Sequence, residues 1–384
     1  MDQASGVSAL VLFGAPSLVA SFVIARWSEL ALVADLAAAF GLTATVFTAA
    51  SFNLAQALAL WGVRDHVDED FWLNRVTGST VGAVLALSIL LLAHVDARIA
   101  LLAVLVKLTD AGADLRLGFD TLQHDLHFGM SRLLRWSIQR IAVFGVTTAI
   151  ALAIHEDGVD ALLWGAIVQL CCMQVWRAIP RVGVTRERLA AAIRLGRLTA
   201  HLSVATTMCA LLVTTPRLVS KYICSKRELG LYGITFMATT FIGMSFNLSW
   251  YRMASTTRQH GVEVALRHYL REGSLLAVAL AASLVVSAPL VARIYAIADV
   301  RFYRIFIVVG VGFVIFYFFL CLANMLKTSS FRLLEASAYL TAAVVLAGLT
   351  LPTRSLLTGM LCASGVLAIF VVLGVSGARR VVVG

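Results

Sequence analysis

Pro16-Ser17-Leu18-Val19-Ala20-Ser21-Phe22 is answered 200 residues later by Pro216-Arg217-Leu218-Val219-Ser220-Lys221-Tyr222. The echo continues in order. Arg26 and Glu29-Leu30-Ala31-Leu32 answer Lys226 and Glu228-Leu229-Gly230-Leu231, and Ser51-Phe52-Asn53-Leu54 answers Ser245-Phe246-Asn247-Leu248. The offset drifts from 200 to 194, so a few gaps separate the copies while the order holds. Two related halves of about 190 residues are therefore the organising feature of the chain.

With 60% hydrophobic residues, 14% charged residues and a mean hydropathy of +0.90, the chain cannot cover itself with a water-facing surface. Apolar runs of spanning length fall at residues 8–25, 31–62, 76–93, 99–117, 137–154 and 161–179. A second set falls at 198–222, 229–253, 274–295, 302–326, 333–351 and 355–375. The expectation is an all-α polytopic membrane protein of about twelve transmembrane helices, six per half. An even number of spans per half makes the repeats parallel, related by an axis along the membrane normal. Two such bundles around a site between them point to a transporter. The expected division is an N-terminal six-helix bundle over residues 1–180, a cytoplasmic amphipathic linker over 181–197 and a C-terminal bundle over 198–384.

Orientation follows from the basic residues of the connections. With the N-terminus inside, the cytoplasmic side carries Arg64, Arg75, Arg116, Arg132, Arg135, Arg140, Arg177, Arg181, Arg186, Arg188, Arg194 and Arg197 in the first half and its linker. Arg252, Arg258, Arg267, Arg271, Lys327, Arg332, Arg379 and Arg380 complete a set of twenty, against ten near the outer ends, with Lys107 inside a span. Both termini are expected to be cytoplasmic, and the net charge of +10 is a topology signal that needs no nucleic-acid partner. Asp2, where a signal peptide has basic residues, predicts that the first run is retained as a span. The six cysteines lack metal-ligand spacing and read as small buried hydrophobes, and no cofactor is expected. Asn247-Leu248-Ser249 matches a glycosylation sequon but sits inside an expected span. Amphipathic stretches at 122–135 and 186–198 read as interfacial helices on the inner leaflet, where anionic lipid anchors their arginines. Without a phosphate-cradling glycine loop, metal-binding His cluster or nucleophile elbow, an enzyme is not expected.

Charges within spans are the functional candidates, because each costs about 2.5–3.5 kcal/mol on insertion scales and faces a cavity or a partner. Lys107, Asp110 and Asp114 stand at i, i+3 and i+7 on one face of the fourth span. Two readings stand: a face for polar cargo or a coupling proton, or a pair that simply neutralises itself. Arg217 and Lys221 lie one turn apart where the first half has the neutral Ser17 and Ser21, so the repeat supplies its own control. Cations in one copy only point to an asymmetric duty such as gripping an anion; snorkelling at the outer boundary is the other reading. Arg26 and Lys226, cationic in both copies, read as outer-edge anchors. Pro16 and Pro216 each remove a backbone hydrogen bond and read as flex points. Asn53 with Gln56 and Asn247 with Trp250 repeat as interhelical hydrogen-bonding glue. Asp35, near the outer end of the second span, stands alone.

Pro216-Arg217 with Leu218-Val219-Ser220-Lys221-Tyr222 and Glu228-Leu229-Gly230-Leu231-Tyr232-Gly233 resembles the seventh-to-eighth span signature of bacterial polysaccharide and O-antigen flippases. The fourth-span face of Lys107, Asp110 and Asp114 is similar too. These are the Wzx-type members of the multidrug/oligosaccharidyl-lipid/polysaccharide exporter superfamily, and their twelve-span plan fits essentially the whole chain. The resemblance implies a V-shaped, MATE-like pair of six-helix bundles in the bacterial inner membrane. Its implied cargo is an undecaprenyl-diphosphate-linked oligosaccharide, moved to the periplasmic leaflet by alternating access for surface polysaccharide biosynthesis. Arg217, Lys221 and Lys107 then become substrate contacts, since a diphosphate needs charge-assisted hydrogen bonds while crossing. Asp110, Asp114 and Asp35 become ion-coupling or structural partners. Polymerase and chain-length components of a glycan pathway are the protein partners this reading implies. A cation-coupled multidrug extruder of the same superfamily is the alternative, kept alive by Asp35. A membrane-embedded polysaccharide polymerase or ligase would need a long outer loop, and the outer loops here are short.

Overall fold

A computed structural model describes residues 3–50, 68–123, 126–154, 157–172, 185–325 and 332–383. Twelve helices lie among the described residues: α1 Gln3–Trp27, α2 Leu32–Ala50, α3 Asp68–Leu92, α4 Ala97–Gln123, α5 Leu126–Ile154 and α6 Gly158–Cys172, then α7 Arg186–Ile223, α8 Lys226–His260, α9 Val262–Ile294, α10 Arg301–Met325, α11 Arg332–Thr353 and α12 Leu356–Val383. Each begins or ends close to one of the twelve apolar runs. Nine stretches within them are long and apolar enough to cross a membrane. Helices are the expected solution, because in hydrocarbon every backbone N–H and C=O must be satisfied within its own segment. Thr45, Thr109 and Thr235 turn their hydroxyls back onto the carbonyls of Gly41, Leu105 and Leu231, so these polar side chains are satisfied within one turn of their own helix. Val84, Leu92, Leu275, Val278 and Val286 are each more than half exposed, an outer face suited to acyl chains and not to water.

The chain forms two compact units, Met1–Ala210 and Leu211–Gly384, and the division falls within α7. In the first unit α2, α3 and α4 pack mutually, and α6 packs on both α4 and α5. The second unit repeats the scheme six helices later, with α8, α9 and α10 packing mutually and α12 on both α10 and α11. Both units bring their last two helices close together. A Cβ on Gly165 of α6 would meet the Thr148 hydroxyl and come within 3.2 Å of the Phe144 carbonyl oxygen of α5. One on Gly359 of α12 would meet Thr350 and the Leu346 carbonyl of α11.

The repeat also extends to turns that the sequence comparison did not single out. Between α3 and α4, His94 adopts φ 55°, and the Val95 N–H reaches back to the Leu90 carbonyl at 3.1 Å. Between α9 and α10, Ala296 adopts φ 52°, and the Ile297 N–H reaches the Ala292 carbonyl at 2.8 Å. Both are Schellman stops, in which a left-handed residue lets the chain cap its own helix. Each leads into an Asp-x-Arg start: Asp96 Oδ1 accepts from the Arg98 N–H, and Asp299 Oδ1 from the Arg301 N–H.

Those starts anchor ionic corners. In the first unit the Arg98 guanidinium pairs with Asp157 at 2.5 Å and Asp160 at 3.3 Å, and Ser28 donates to Asp157. In the second, Asp299 takes Arg301 and Arg227 at 3.1 Å each, while Arg301 reaches Glu228. The side-chain hydrogen bond from Arg301 holds the Asp299 carboxyl below its ordinary pKa. A depressed folded-state pKa stabilises the fold above the unfolded value and loses that contribution as pH falls through the folded one. Asp299→Asn will therefore lower the thermal midpoint of the purified protein at pH 7, and the two midpoints will converge only below pH about 3.9. Equal midpoints at pH 7 would show that this corner adds nothing to stability.

Two amphipathic stretches differ from expectation. Residues 122–135 do not form a separate interfacial helix; they fall at the end of α4 and the start of α5, with 124–125 outside the described residues. Residues 186–197 run unbroken into the seventh span as one 38-residue helix. Its outward Leu189 and Ile193 are 41% and 51% exposed, while Ala192 and Leu195 are buried. Among the cysteines only Cys321 is buried, and Cys171, Cys172 and Cys362 are exposed. An apolar thiol is as well solvated by lipid as by a core, so burial is not required of it.

Candidate functional site

In the first unit the fourth-span charges form a cluster that includes one residue from outside the sequence pattern. Lys107 Nζ pairs with Asp110 Oδ2 at 2.8 Å, as their i, i+3 spacing allows. The other oxygen of the same carboxylate, Oδ1, takes Arg140 Nη1 of α5 at 2.5 Å. Arg140 had been counted with the cytoplasmic connections, but it is a helix-interior residue whose side chain is 1% exposed and stands 5.3 Å from the Trp136 ring. Lys107 is 27% exposed. The pairing reading of Lys107 and Asp110 is thus geometrically realised, with Arg140 as a third member. Asp114 lies on the same helix, outside the residues whose side chains are described.

Arg75, also counted with the connections, is buried in α3 and donates from Nε to the Ala111 carbonyl of α4 at 2.8 Å. Its neighbour Asn74 donates to the Ala192 carbonyl of α7 at 3.0 Å. Both corrections share one cause: composition assigns a charged residue to water, whereas a specific long-range acceptor keeps it inside.

In the second unit Arg217 is buried, 8% exposed, one residue after Pro216 and within an unbroken α7. Its Nη2 donates to Thr240 Oγ1 of α8 across 3.4 Å, a long contact, and its Nε is buried without a hydrogen-bond partner. No carboxylate among the described residues pairs with it. Tyr317 of α10 lies within electrostatic reach. The Tyr317 ring rests against α8 where Gly243 leaves room, since a Cβ there would sit 2.7 Å from Cζ and 2.9 Å from the hydroxyl. The guanidinium of α7 thus meets α8 directly, while Tyr317 of α10 packs on α8. Lys221, one turn further along α7, is half-buried. Lys107 and Arg217 belong to different units.

Asp35 is half-buried in the first turn of α2, and Pro16 is buried within α1, which continues to Trp27. Asn53 and Gln56 lie outside the described residues, as do the side chains of Asn247 and Trp250. A further buried carboxylate escaped the sequence reading. Glu335 of α11 is fully buried, with the Tyr339 hydroxyl 2.8 Å from Oε1 and 2.6 Å from the Asn324 side-chain amide of α10. The phenol has one proton, which it donates to one of these two oxygens at a time. The signal was Glu335 and Tyr339 at i, i+4.

No protein-family model and no curated protein matches the sequence. Solved structures match the fold. A crystal structure of MATE in complex with MaD3S aligns with a TM-score of 0.59 at 14% identity, covering 98% of this chain and 94% of that one. The fold is MATE-like. An outward-facing multidrug resistance MATE family transporter of the MOP superfamily aligns at 0.54 and 13% identity over 98% and 94% of the two chains. A MOP superfamily transporter from Pyrococcus furiosus, described as having a binding pocket of reverse polarity, aligns at 0.50 and 12% identity over 98% and 95%. At these identities the MATE-like fold is what is shared, and cargo has to be argued from the chain's own residues.

Proposed function

We propose that the chain is a flippase carrying an undecaprenyl-diphosphate-linked oligosaccharide from the cytoplasmic to the periplasmic leaflet of the bacterial inner membrane by alternating access. Both termini are then cytoplasmic, and the cargo serves a surface-polysaccharide pathway. The observation that carries this reading is Arg217, a buried guanidinium with no carboxylate paired to it among the described residues. Holding such a charge in a membrane interior is costly and marks a functional site. Its natural complement is an oxyanion, and a planar fork fits a diphosphate better than a point charge does. Lys221 on the same helix and Lys107 in the first unit are the further contacts. Pro16 and Pro216 are the points at which α1 and α7 flex.

Multidrug export has one observation of its own. A cation-coupled extruder calls for a carboxylate deep in the N-terminal bundle, and Asp110 is buried there. Two cations hold that carboxylate, which favours the structural role and leaves the flippase ahead.

The test is surface glycan in a deletion strain, with and without the gene restored, alongside lipid-linked oligosaccharide held on the cytoplasmic leaflet. Loss of glycan with trapped precursor, both reversed by restoration, supports the flippase. Unchanged glycan with altered drug sensitivity moves the reading to multidrug export.

A further inference from the structure

The geometry points to Arg140 as a positioning residue that frees Lys107 to bind an anionic cargo group, by holding Asp110 when Lys107 lets go. The inference rests on the reading of Lys107 as a substrate contact. The two cations on Asp110 are not equivalent. Arg140 is 1% exposed, takes Oδ1 and stacks near Trp136, so it is fixed by its surroundings. Lys107 is 27% exposed, takes Oδ2 and swings on a flexible four-carbon stem. The carboxylate therefore has one permanent partner and one exchangeable partner. Were Lys107 its sole partner, moving the ammonium to a cargo phosphate would strand a buried carboxylate, and the ion pair would resist opening. With Arg140 in place Asp110 stays neutralised, and the ammonium changes partners at little cost.

Farnesyl diphosphate is the probe, titrated calorimetrically into the full chain in detergent, with farnesol as the uncharged control. Arg140→Gln will weaken farnesyl diphosphate binding about tenfold by leaving Lys107 captive on Asp110. Adding Asp110→Asn to that variant will restore binding to the wild-type level, which a merely structural role for Arg140 does not predict. Lys107→Gln in the restored background will abolish the gain. Arg140→Gln with wild-type affinity, or a loss that Asp110→Asn does not reverse, would overturn the inference. If Arg140→Gln alone does not yield folded protein, the double variant still decides, because it strands no buried charge. Binding no weaker than wild type supports the exchange, and weak binding makes Arg140 a direct ligand and overturns it. Lys107→Gln with unchanged affinity, while Arg217→Gln loses it, overturns this inference alone. A wild type that binds farnesyl diphosphate no better than farnesol overturns the anion-transport reading and the inference together.

Discussion

On the proposed flippase reading, Arg217→Glu will leave cells without surface glycan and with lipid-linked precursor held on the cytoplasmic leaflet, although the protein is still made and inserted. The size of the effect follows from the surroundings of the side chain. Arg217 is buried in α7, with Thr240 of α8 at 3.4 Å as a weak partner. A ligand oxyanion that completes this guanidinium gains a desolvated, charge-assisted contact, and losing one member of such a pair costs about 2–5 kcal/mol. That is roughly thirtyfold to several thousandfold in affinity before the repulsion of the new carboxylate is added. Arg217→Lys keeps the charge but loses the fork, so it will fall between wild type and Glu. Thr240→Val removes the long hydrogen bond to Arg217 and the hydroxyl's own 3.3 Å bond to the Phe236 carbonyl one turn back, both weak, and will be nearly silent. Immunoblotting of the membrane fraction separates loss of transport from loss of protein. Wild-type glycan in the Glu variant would take Arg217 out of the mechanism and return it to the snorkelling reading.

The fold was legible because its two signals survive in a single chain: apolar runs of fixed length, and a repeat whose copies can be laid side by side. Each helix has at least one end close to an expected span boundary, since a span starts where the chain leaves the headgroups, while α5, α7 and α9 begin about eleven or twelve residues earlier than expected. The Asp96-x-Arg98 and Asp299-x-Arg301 corners were equally present in the sequence. They passed unread because the repeat was traced through apolar segments, whereas these motifs sit at turns whose meaning depends on a left-handed residue at His94 or Ala296. Site residues divide in the same way. Lys107 and Asp110 are three residues apart, and helical periodicity alone pairs them. Arg140 is thirty residues from its carboxylate, and only the packing of α5 on α4 brings it there. Arg217 was singled out by the contrast with Ser17, but its burial and its Thr240 partner on α8 are known only from the structure. Local rules reach i+4; everything beyond that waits for the tertiary structure.

Asp110→Ala will destabilise the protein more than any other single change in its cluster. The substitution leaves Arg140, 1% exposed, without the carboxylate that neutralises it. Removing one partner of a buried pair costs about 3–5 kcal/mol, because the survivor loses the carboxylate that offsets its desolvation. Lys107 loses the same partner but is 27% exposed, so its ammonium can turn outward and its share of the loss is small. The cation–π contact with Trp136, at 5.3 Å, recovers a fraction of the penalty on Arg140. Lys107→Gln, which leaves the inner pair intact, will cost about 1 kcal/mol or less. The discriminating comparison is Asp110→Asn with Arg140→Gln, which removes both charges and keeps both shapes. It will melt within a few degrees of wild type in the same detergent, while Asp110→Ala melts far below, because the penalty lies in the unmatched charge and not in the missing contact. Should the double variant melt as low as the single one, the cluster's worth would lie in its hydrogen bonds and packing, and the role of Arg140 as the permanent partner of Asp110 would lose its physical basis.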